Sequence, residues 1–556
     1  MAAMPSIPMR LLLALGAALA AAPAVVGQEA SAEVGLTDRQ KAAHLLDRLA
    51  FGGRPGDAER ILEMGIDAWL DEQLQPYGPE GRRLEEAIAD FETLEMDPAR
   101  LWNWIRDGVG EPFARERDLS EEQQRRLRER RRQPVMELVQ STLYRAVLSD
   151  RRLDEVLADF WRNHLNVSLT KGNDIFPQLP DYERTVIRGH LHGTFPEMLM
   201  ASAKHPAMLN YLDNAVSRRP PTKAELAEIE NRARRRSGGS RERGEEARAI
   251  AEQRGLNENY ARELMELHTL GVDNGYDQDD VIALAEALTG WTYDGGRGGT
   301  QLFRFKERMH VKGPKRIVGK TFREDRDGGP GQGEAVIEYL AHHRNTAEFI
   351  ARKLVRYLVD DDPPESLVRE VAKVYRKTDG SIPDMVATIV HSDEFWSPAH
   401  FQTKFKTPFE FVVSALRATD ADVEDARALM RQLEEMGQPL HACDDPTGYY
   451  DTADAWLDPG VMALRWQFAV DLCEGRIPGV RIPDSFWDRI PADADPVTWQ
   501  HHLVRLLLPE GAGERTRAAL ATLTTQYLEK TKRPDLYVLG PKLLAVVLGS
   551  PEFQKQ

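Results

Sequence analysis

Residues Leu256–Gly271 read LNENYARELMELHTLG, the stretch of this sequence with the densest chemistry. At 3.6 residues per turn, its large apolar side chains fall on one face of a helix. Asn257 is placed to cap the start of that helix, and Gly271 is placed to end it. The stretch therefore predicts one amphipathic helix packed on a hydrophobic core. The apolar face consists of Leu256, Tyr260, Leu264, Leu267 and Leu270.

Glu263 falls inside the apolar arc of this predicted helix. A carboxylate buried there must be paired, hydrogen-bonded, metal-bound or protonated, because burying a bare charge is strongly unfavourable. His268 lies further along the helix, near the edge of the same face. Two interpretations stay open: Glu263 forms an ion pair in the core, or Glu263 and His268 are catalytic. Asn257, Asn259 and Arg262 are candidate binding residues on the same helix.

Apolar side chains recur at helical spacing through most of the chain. The period-two alternation of strands appears at Thr300–Phe305 and Arg316–Phe322, with turn residues at Lys312–Lys315 between them. The sequence therefore predicts a mainly α fold, a multi-helix orthogonal or bundle array with a small β-hairpin patch near residues 300–322.

The first 27 residues predict export. Arg10 precedes a short apolar run, which is followed by small residues as far as Ala24 and Gly27. This pattern is typical of a signal peptide over residues 1–27, and its apolar run is too short to span a membrane stably. Elsewhere no apolar run approaches the length of a membrane helix. We expect a periplasmic or secreted protein with no integral membrane span.

The mature chain is predicted to have two helical parts. Residues 36–350 form an N-terminal helical core with a mobile insertion at 217–255, where Arg and Glu replace large apolar residues. Residues 351–556 form a C-terminal helical region. Within it, Leu354–Val359 resembles Leu503–Leu508, and a second pair of segments repeats the likeness in the same order, which predicts a duplicated helical unit.

The formal charge of −16 argues against nucleic acid as a partner, because phosphate binding relies on a basic surface. Arginines concentrate at residues 125–132 and 232–243, interleaved with Glu, and both segments are either solvated surface or sites for an anionic polymer. Cys443 and Cys473 are the two cysteines. They form a disulfide if the protein is exported, or they are two buried thiols.

His164, His190 and His310 are candidate ligands for a divalent metal, with Glu263 as a further ligand or general base. Neutral imidazole and carboxylate groups bind such ions. The alternative for each histidine is a hydrogen-bonded position in the core. Because these residues are far apart in the sequence, a metal site requires that folding brings them together.

The segment Gln438–Trp456 is rich in turn residues and aromatic side chains. Tyr449 and Trp456 are its candidate binding residues. The alternative is that both rings pack against neighbouring helices.

The chain resembles the bacterial domain-of-unknown-function 1800 family, and the resemblance covers nearly all of the mature chain. One departure is Val311, where the family usually has an acidic residue after the histidine that matches His310; this weakens a metal site there. The resemblance implies an exported, largely helical bacterial protein, often encoded beside a sulfatase-like protein, and it supplies no catalytic residues. The matching segments are His44–Gly52, Phe160–Ser168, Tyr182–Phe195, His205–Leu209, Gly255–Leu264, Ala287–Trp291, His342–Leu354, Lys406–Leu416 and Gln438–Leu440.

Two functions are compatible with the sequence. The first is a binding or assembly protein of the cell envelope, whose partner is an envelope polymer or a co-exported sulfatase-like protein. The second is a metal-dependent or carboxylate-based hydrolase that acts on an extracytoplasmic polymer. The sequence lacks the common hydrolase and metalloprotease motifs, which favours the first.

Overall fold

The computed structural model describes residues 35–556, except 77, 110–117, 173–174, 253–254, 296–297, 327 and 532. The predicted signal peptide lies outside the described residues. Helices dominate the described chain, and six short strands form three two-stranded antiparallel sheets. The predicted mainly α class is confirmed.

The N-terminal helices are α1 Asp38–Leu49, α2 Asp57–Met64, α3 Ile66–Leu74, α4 Arg82–Ile88, α5 Pro98–Asp107, α6 Glu121–Leu148, α7 Arg152–His164 and α8 Leu179–Tyr182. The central helices are α9 Phe195–Lys204, α10 Pro206–Tyr211, α11 Lys223–Arg236, α12 Arg241–Glu252, α13 Asn259–Glu263, α14 Gln278–Ala287, α15 Gly331–Ala341 and α16 Arg344–Leu358. The C-terminal helices are α17 Glu365–Lys377, α18 Ile382–Val390, α19 Pro408–Ala418, α20 Arg427–Glu435, α21 Pro459–Cys473, α22 Asp484–Trp487, α23 Pro496–Leu507, α24 Glu514–Lys530 and α25 Leu536–Leu548. The strands are β1 Trp291–Tyr293, β2 Phe303–Phe305, β3 Lys315–Ile317, β4 Lys320–Phe322, β5 Asp422–Val423 and β6 Val480–Arg481.

Local sequence sets many of the helix starts. In a capping box, a side chain at the helix start and one three residues later each accept a backbone N–H of the other residue, which satisfies two otherwise free donors. The capping pairs are Thr37 with Gln40, Ser120 with Gln123, Thr194 with Glu197, Thr222 with Glu225, Asp277 with Asp280, and Thr407 with Glu410.

One hydrophobic cluster runs through the chain from Ala42 to Phe553. A smaller cluster forms around Leu101, Ile105 and Leu127, where α5 meets α6. The predicted division between residues 350 and 351 lies inside α16, within the large cluster. That position therefore does not coincide with a linker.

The opening stretch is not one continuous α-helix, as the sequence predicted. It begins as the short helix α13 and continues as a π-helical turn over Leu264–His268. Leu264, Met265 and His268 of this turn lie in the core, whereas Glu263, the last residue of α13, is half-buried. The core face of the stretch is formed by Tyr260, Ala261, Leu264, Met265 and His268, so the predicted full burial of Glu263 is wrong.

The small β patch predicted near residues 300–322 is confirmed, and it consists of two hairpins. β2 pairs with β1, in the register Trp291 to Phe305, and β3 pairs with β4. Val318 and Gly319, between β3 and β4, both have positive φ, of 44° and 76°. Two such residues in succession are typical of a tight two-residue hairpin turn, so residues 315–322 fold back on themselves.

The predicted insertion consists mainly of α11 and α12, which pack against each other as a helical hairpin. Gly244 of α12 is buried where the helices meet, and a Cβ atom there would lie 2.4 Å from Cγ of Arg234. Near the base of the hairpin, Leu226 and Ala251 are buried. The described part of the 217–255 segment is therefore mostly helical.

The segments that resemble each other in sequence lie in two three-helix units, α16–α18 and α23–α25. Both units end in the same local structure. Ser392 Oγ accepts a hydrogen bond from the backbone N–H of Phe395, and Ser550 Oγ accepts one from Phe553, at 3.2 and 3.3 Å. Both phenylalanines are buried in the core.

The two cysteines are free and buried. In the parts of the chain that the structure covers, no helix combines the length and the apolar character needed to cross a bilayer.

Replacing Phe395 by Ala is expected to lower the free energy of unfolding by about 3–5 kcal/mol, the usual cost of emptying a large aromatic site in a core. Leu62, which is 48% exposed, provides the control, and Leu62→Ala is expected to change stability by less than about 0.5 kcal/mol. Denaturant unfolding followed by circular dichroism measures both. Equal losses in the two variants would contradict the placement of Phe395.

Candidate functional site

The end of α7 holds the loop Gln438–Trp456 through backbone contacts. Asn163 donates its side-chain amide to the carbonyl of Tyr449 at 2.8 Å and accepts the N–H of Tyr449 at 2.7 Å. Asn166, just after α7, donates to the carbonyls of Cys443 and Asp445, at 3.2 and 2.8 Å. These two amides fix the backbone of the loop at three places.

Gly448 is required at the closest approach of this loop to α7. Its φ is +80°, and a Cβ atom there would lie 2.5 Å from the carbonyl oxygen of Asn163. A larger residue would be strained and would push the loop away from the helix.

Beneath the loop lies a buried network of charges. Arg162 binds both carboxylate oxygens of Glu183, at 3.0 and 2.8 Å, and Arg188 Nε lies 3.1 Å from the same carboxylate. Arg188 also binds Glu155 through two hydrogen bonds of 3.0 and 2.7 Å. Burial opposes ionisation of Glu183, but the two guanidinium groups outweigh it and lower the pKa of Glu183 to about 2.

His441 lies beside this network and is buried. Its Nε2 lies 3.0 Å from the hydroxyl of Thr142. Burial, reinforced by the positive charges of Arg162 and Arg188, lowers the pKa of His441 to about 3. The imidazole is therefore neutral at physiological pH.

A pocket opens between the end of α7, α16 and the loop. Two carboxyl groups line it, Asp159 from α7 and Asp451 from the loop, together with Tyr357 from α16. The hydroxyl of Tyr357 donates to Asp159 at 3.0 Å. Burial raises the pKa of Asp159 to about 6 against the opposing charge of Arg162, which lies 3.4 Å away.

Asp451 is the less constrained of the two acids. Burial raises its pKa, which the positive charges of Lys353 and Lys404 oppose. Among the described residues, none forms a hydrogen bond or ion pair with its carboxylate, although Lys404 donates to its backbone carbonyl at 3.1 Å. The carboxylate thus keeps its capacity to accept hydrogen bonds from a ligand.

The aromatic residues of the loop divide into supporting and exposed positions. Tyr449 donates its hydroxyl to the carbonyl of Pro439 at 2.7 Å, and Trp456, which is only 6% exposed, donates its indole N–H to the carbonyl of Tyr450 at 2.9 Å. Tyr450 itself is 63% exposed. Of the two predicted binding residues, Tyr449 lines the pocket, whereas Trp456 supports the loop from within.

The structure brings His164 and His268 together in the core, beside Lys353. Lys353 Nζ lies 3.1 Å from Nδ1 of His164, and Nε2 of His164 lies 3.3 Å from the carbonyl oxygen of His268. These contacts fit a neutral His164 that accepts at Nδ1 and donates at Nε2. Burial, aided by the charge of Lys353, lowers the pKa of both imidazoles, that of His268 to about 3.

Glu263 does not join these histidines through any hydrogen bond or ion pair in the described chain. Burial and the negative charges of Glu266 and Asp445 raise its pKa, and Arg262 opposes the shift. Arg262 lies 3.4 Å from Glu266 and donates to Gln278 at 2.7 Å. Glu263 therefore belongs to an acidic surface region rather than to a buried ion pair.

The predicted binding residues Asn257 and Asn259 lie at the start of the same stretch. Asn257 accepts the N–H of Asn259 at 2.9 Å and donates to the carbonyl of Asp213 at 3.4 Å. Its backbone N–H donates to the hydroxyl of Ser217 at 3.1 Å. Asn257 thus anchors the stretch to the preceding segment, while Asn259 is exposed.

His190 and His310 each form a hydrogen bond with a nearby backbone carbonyl. Nδ1 of His190 lies 2.9 Å from the carbonyl of Val186, and Nδ1 of the buried His310 lies 2.9 Å from the carbonyl of Thr289. Within the described ranges, no three His, Cys, Asp or Glu side chains are arranged to hold a metal ion. The structure thus does not assemble His164, His190 and His310 into one ligand set.

Asp159, Tyr450 and Asp451 were not predicted from the sequence. The proximity of Tyr450 and Asp451 to Tyr449, within a loop already singled out, was a usable signal. For Asp159 the only signal in the sequence was its position one helical turn before Asn163 on α7.

The fold and the site define a mainly helical protein in which a buried charge network underlies a polar, carboxyl-lined pocket. The chain belongs to the family described as Protein of unknown function (DUF1800), whose model matches residues 44–555. The resemblance stated from the sequence is confirmed. No curated protein and no solved structure matches the chain significantly.

Asp159→Asn is expected to remove a pH dependence of stability. The pKa of Asp159 in the folded protein, about 6, exceeds the ordinary value of 3.8, so the folded state favours the protonated side chain. Below pH 3.8 Asp159 is protonated in both the folded and the unfolded chain. As the pH rises from 3.8 through about 6, the wild-type protein loses stability because the buried carboxyl must ionise. The variant lacks that loss, and its stability at neutral pH is expected to be higher by up to about 3 kcal/mol.

Urea unfolding at a series of pH values tests this expectation. The matched control is Asp454→Asn, at an exposed aspartate of the same loop, which is expected to follow the wild-type pH profile. Identical profiles for Asp159→Asn and the wild type would show that Asp159 ionises normally.

Proposed function

We propose that this protein is an exported binding protein of the cell envelope, whose pocket beside Tyr450 holds a segment of a neutral, hydroxyl-rich polymer. Export enters the proposal through the signal-peptide pattern of residues 1–27. The binding surface consists of Tyr450, Asp159 and Asp451.

The exposure of Tyr450 on a fixed loop is the observation that carries the proposal. Asn163 holds both the backbone N–H and the carbonyl of the neighbouring Tyr449. The carbonyl of Tyr450 accepts the indole N–H of Trp456. A large aromatic face on a rigid backbone binds with little loss of conformational entropy. Sugar rings and other hydroxylated groups offer both apolar faces and hydrogen-bond donors to such a surface.

The chemistry of the pocket favours an uncharged ligand that donates hydrogen bonds. The carboxylate of Asp451 forms no hydrogen bond or ion pair with the residues that the structure describes, whereas Asp159 is already bonded to Tyr357 and Arg162. The positive charges of Lys353 and Lys404 balance the charge of Asp451, so a cationic ligand would be repelled by these two lysines. A hydroxyl group needs no such charge balance.

Tyr450→Ala is expected to weaken binding by at least about tenfold, or about 1.4 kcal/mol, because the variant loses the exposed aromatic face. Asp451→Asn is expected to weaken binding as well, because its amide is a poorer hydrogen-bond acceptor than a carboxylate. The probes are soluble neutral oligosaccharides cut from envelope glycans, with binding measured by calorimetry.

The matched control is Tyr537→Ala, since Tyr537 is 59% exposed on a different part of the surface. This variant is expected to bind like the wild type. Absence of wild-type binding to every oligosaccharide, or equal weakening by Tyr450→Ala and Tyr537→Ala, would reject the proposal.

A second candidate function is hydrolysis of a glycosidic bond by the same two acids. The pKa of Asp159, about 6, suits a general acid, and many glycoside hydrolases use one protonated and one ionised carboxyl group. In this candidate Asp159 protonates the leaving oxygen and Asp451 acts as the base or nucleophile. The carboxyl pair takes the place of Glu263 and His268, the residues that the sequence suggested.

Hydrolysis is tested by incubating the same oligosaccharides with the protein and measuring new reducing ends. If the protein is a hydrolase, Asp159→Asn is expected to reduce the rate at least about a hundredfold, the lower range for loss of a general acid. Binding without release of reducing ends would leave only the binding function. The Asp454→Asn variant serves as the control and is expected to keep the wild-type rate.

A further inference from the structure

The helical hairpin formed by α11 and α12 carries an unusual concentration of positive charge at its turn. Between residues 232 and 243 there are six arginines and one acidic residue, in a chain whose formal charge is −16. We define these six residues as the arginine tip: Arg232, Arg234, Arg235, Arg236, Arg241 and Arg243.

A capping box and ion pairs stabilise the hairpin that carries this tip. Thr222 and Glu225 cap the start of α11, and Arg219 binds Glu225 at 2.7 Å at the base. Glu230 lies 3.8 Å from Arg234 and 3.5 Å from Arg248, so it links the two helices. The 14 residues of α11 span about 21 Å at 1.5 Å per residue.

The ion pairs within the hairpin leave the tip positive. Each acidic partner of a tip arginine lies on the side away from the turn: Glu228 and Glu230 on α11, Glu245 and Glu246 on α12. Arg235 and Arg236 are exposed and have no ion-pair partner among the described residues. Exposed pairs of this kind contribute only about 0–1 kcal/mol, so the paired arginines can change partner at little cost.

From this arrangement we infer that the arginine tip docks on a membrane surface rich in anionic phospholipid headgroups. The arginines flank the turn Ser237-Gly238-Gly239-Ser240, of which the first three residues are exposed, instead of lining an enclosed site. Such an array contacts many phosphates at once, and each guanidinium can bind a phosphate through two hydrogen bonds.

The charge of the remaining chain supports this orientation. A strongly negative body is repelled by an anionic surface, while the positive tip is attracted to it. The tip therefore makes the contact with the lipid. The turn offers small polar residues and no large apolar group, which fits attachment at the headgroup level without insertion.

The test is sedimentation of the full chain with vesicles of phosphatidylglycerol and phosphatidylcholine, beside vesicles of phosphatidylcholine alone. The tip variant replaces Arg235, Arg236, Arg241 and Arg243 by Gln. We expect the wild type to sediment with the anionic vesicles only, and the tip variant to bind them at least about tenfold more weakly, because each basic residue near such a surface contributes about 1 kcal/mol. Binding is expected to disappear at about 1 M salt, where the Debye length is about 3 Å.

The matched control removes the same number of charges elsewhere. In α6 it replaces the exposed arginines Arg125, Arg126, Arg128 and Arg132 by Gln, and it is expected to bind like the wild type. A variant with Lys at the four tip positions keeps the charge and is expected to bind within about threefold of the wild type, since headgroup attraction depends mainly on charge. Circular dichroism checks that each variant retains its helices.

Three results would overturn the inference. One is failure of the wild type to sediment with anionic vesicles at low salt. Another is an equal loss of binding in the α6 control, which would show a diffuse charge effect. The third is binding of soluble polyphosphate without binding of anionic vesicles, which would assign the tip to a soluble polyanion.

Discussion

The carboxylate of Glu183, shared between two buried guanidinium groups, is the interaction on which the rest of the site depends. Arg162 binds it through two hydrogen bonds and Arg188 through a third contact, while Glu155 balances the second arginine. Removing ions from water is costly, and a network of this kind is stable only when every charge has a partner. Because Arg162 and Glu155 both belong to α7, the network fixes that helix against the π-helical turn Glu183–Ile187.

The position of α7 then determines the geometry of the pocket. Asn163 and Asn166 follow Arg162 and hold the backbone of the loop, and Gly448 permits the close approach. Burial raises the pKa of Asp159, and Arg162, whose shorter contacts go to Glu183, opposes that shift from 3.4 Å. An ion network in the core thus produces, at its edge, a carboxyl group that is suited to binding or proton transfer.

The two inferred binding regions differ in charge. The pocket offers hydrogen-bond acceptors whose charges are balanced nearby, which favours neutral ligands, whereas the arginine tip offers exposed positive charge at the end of an extended hairpin. Much of the fold could be predicted from the sequence, since capping pairs such as Thr407 with Glu410 and apolar spacing of 3.6 residues are encoded in neighbouring residues. The candidate site was largely missed. Glu263 lies half-buried at the end of α13, away from the pocket acids, and β3 pairs with β4 across a tight turn at Val318 and Gly319.

The sequence by itself determined the helical class, the membership of the DUF1800 family and the charged insertion, because periodicity, family motifs and composition are properties of the chain read in order. Only the tertiary structure decided which acids share a pocket. Asp159 and Asp451 are far apart in the chain, and they meet because Arg162, Asn163 and Asn166 bring a C-terminal loop onto an N-terminal helix. Such convergence depends on contacts between distant segments, which no local pattern of residues specifies.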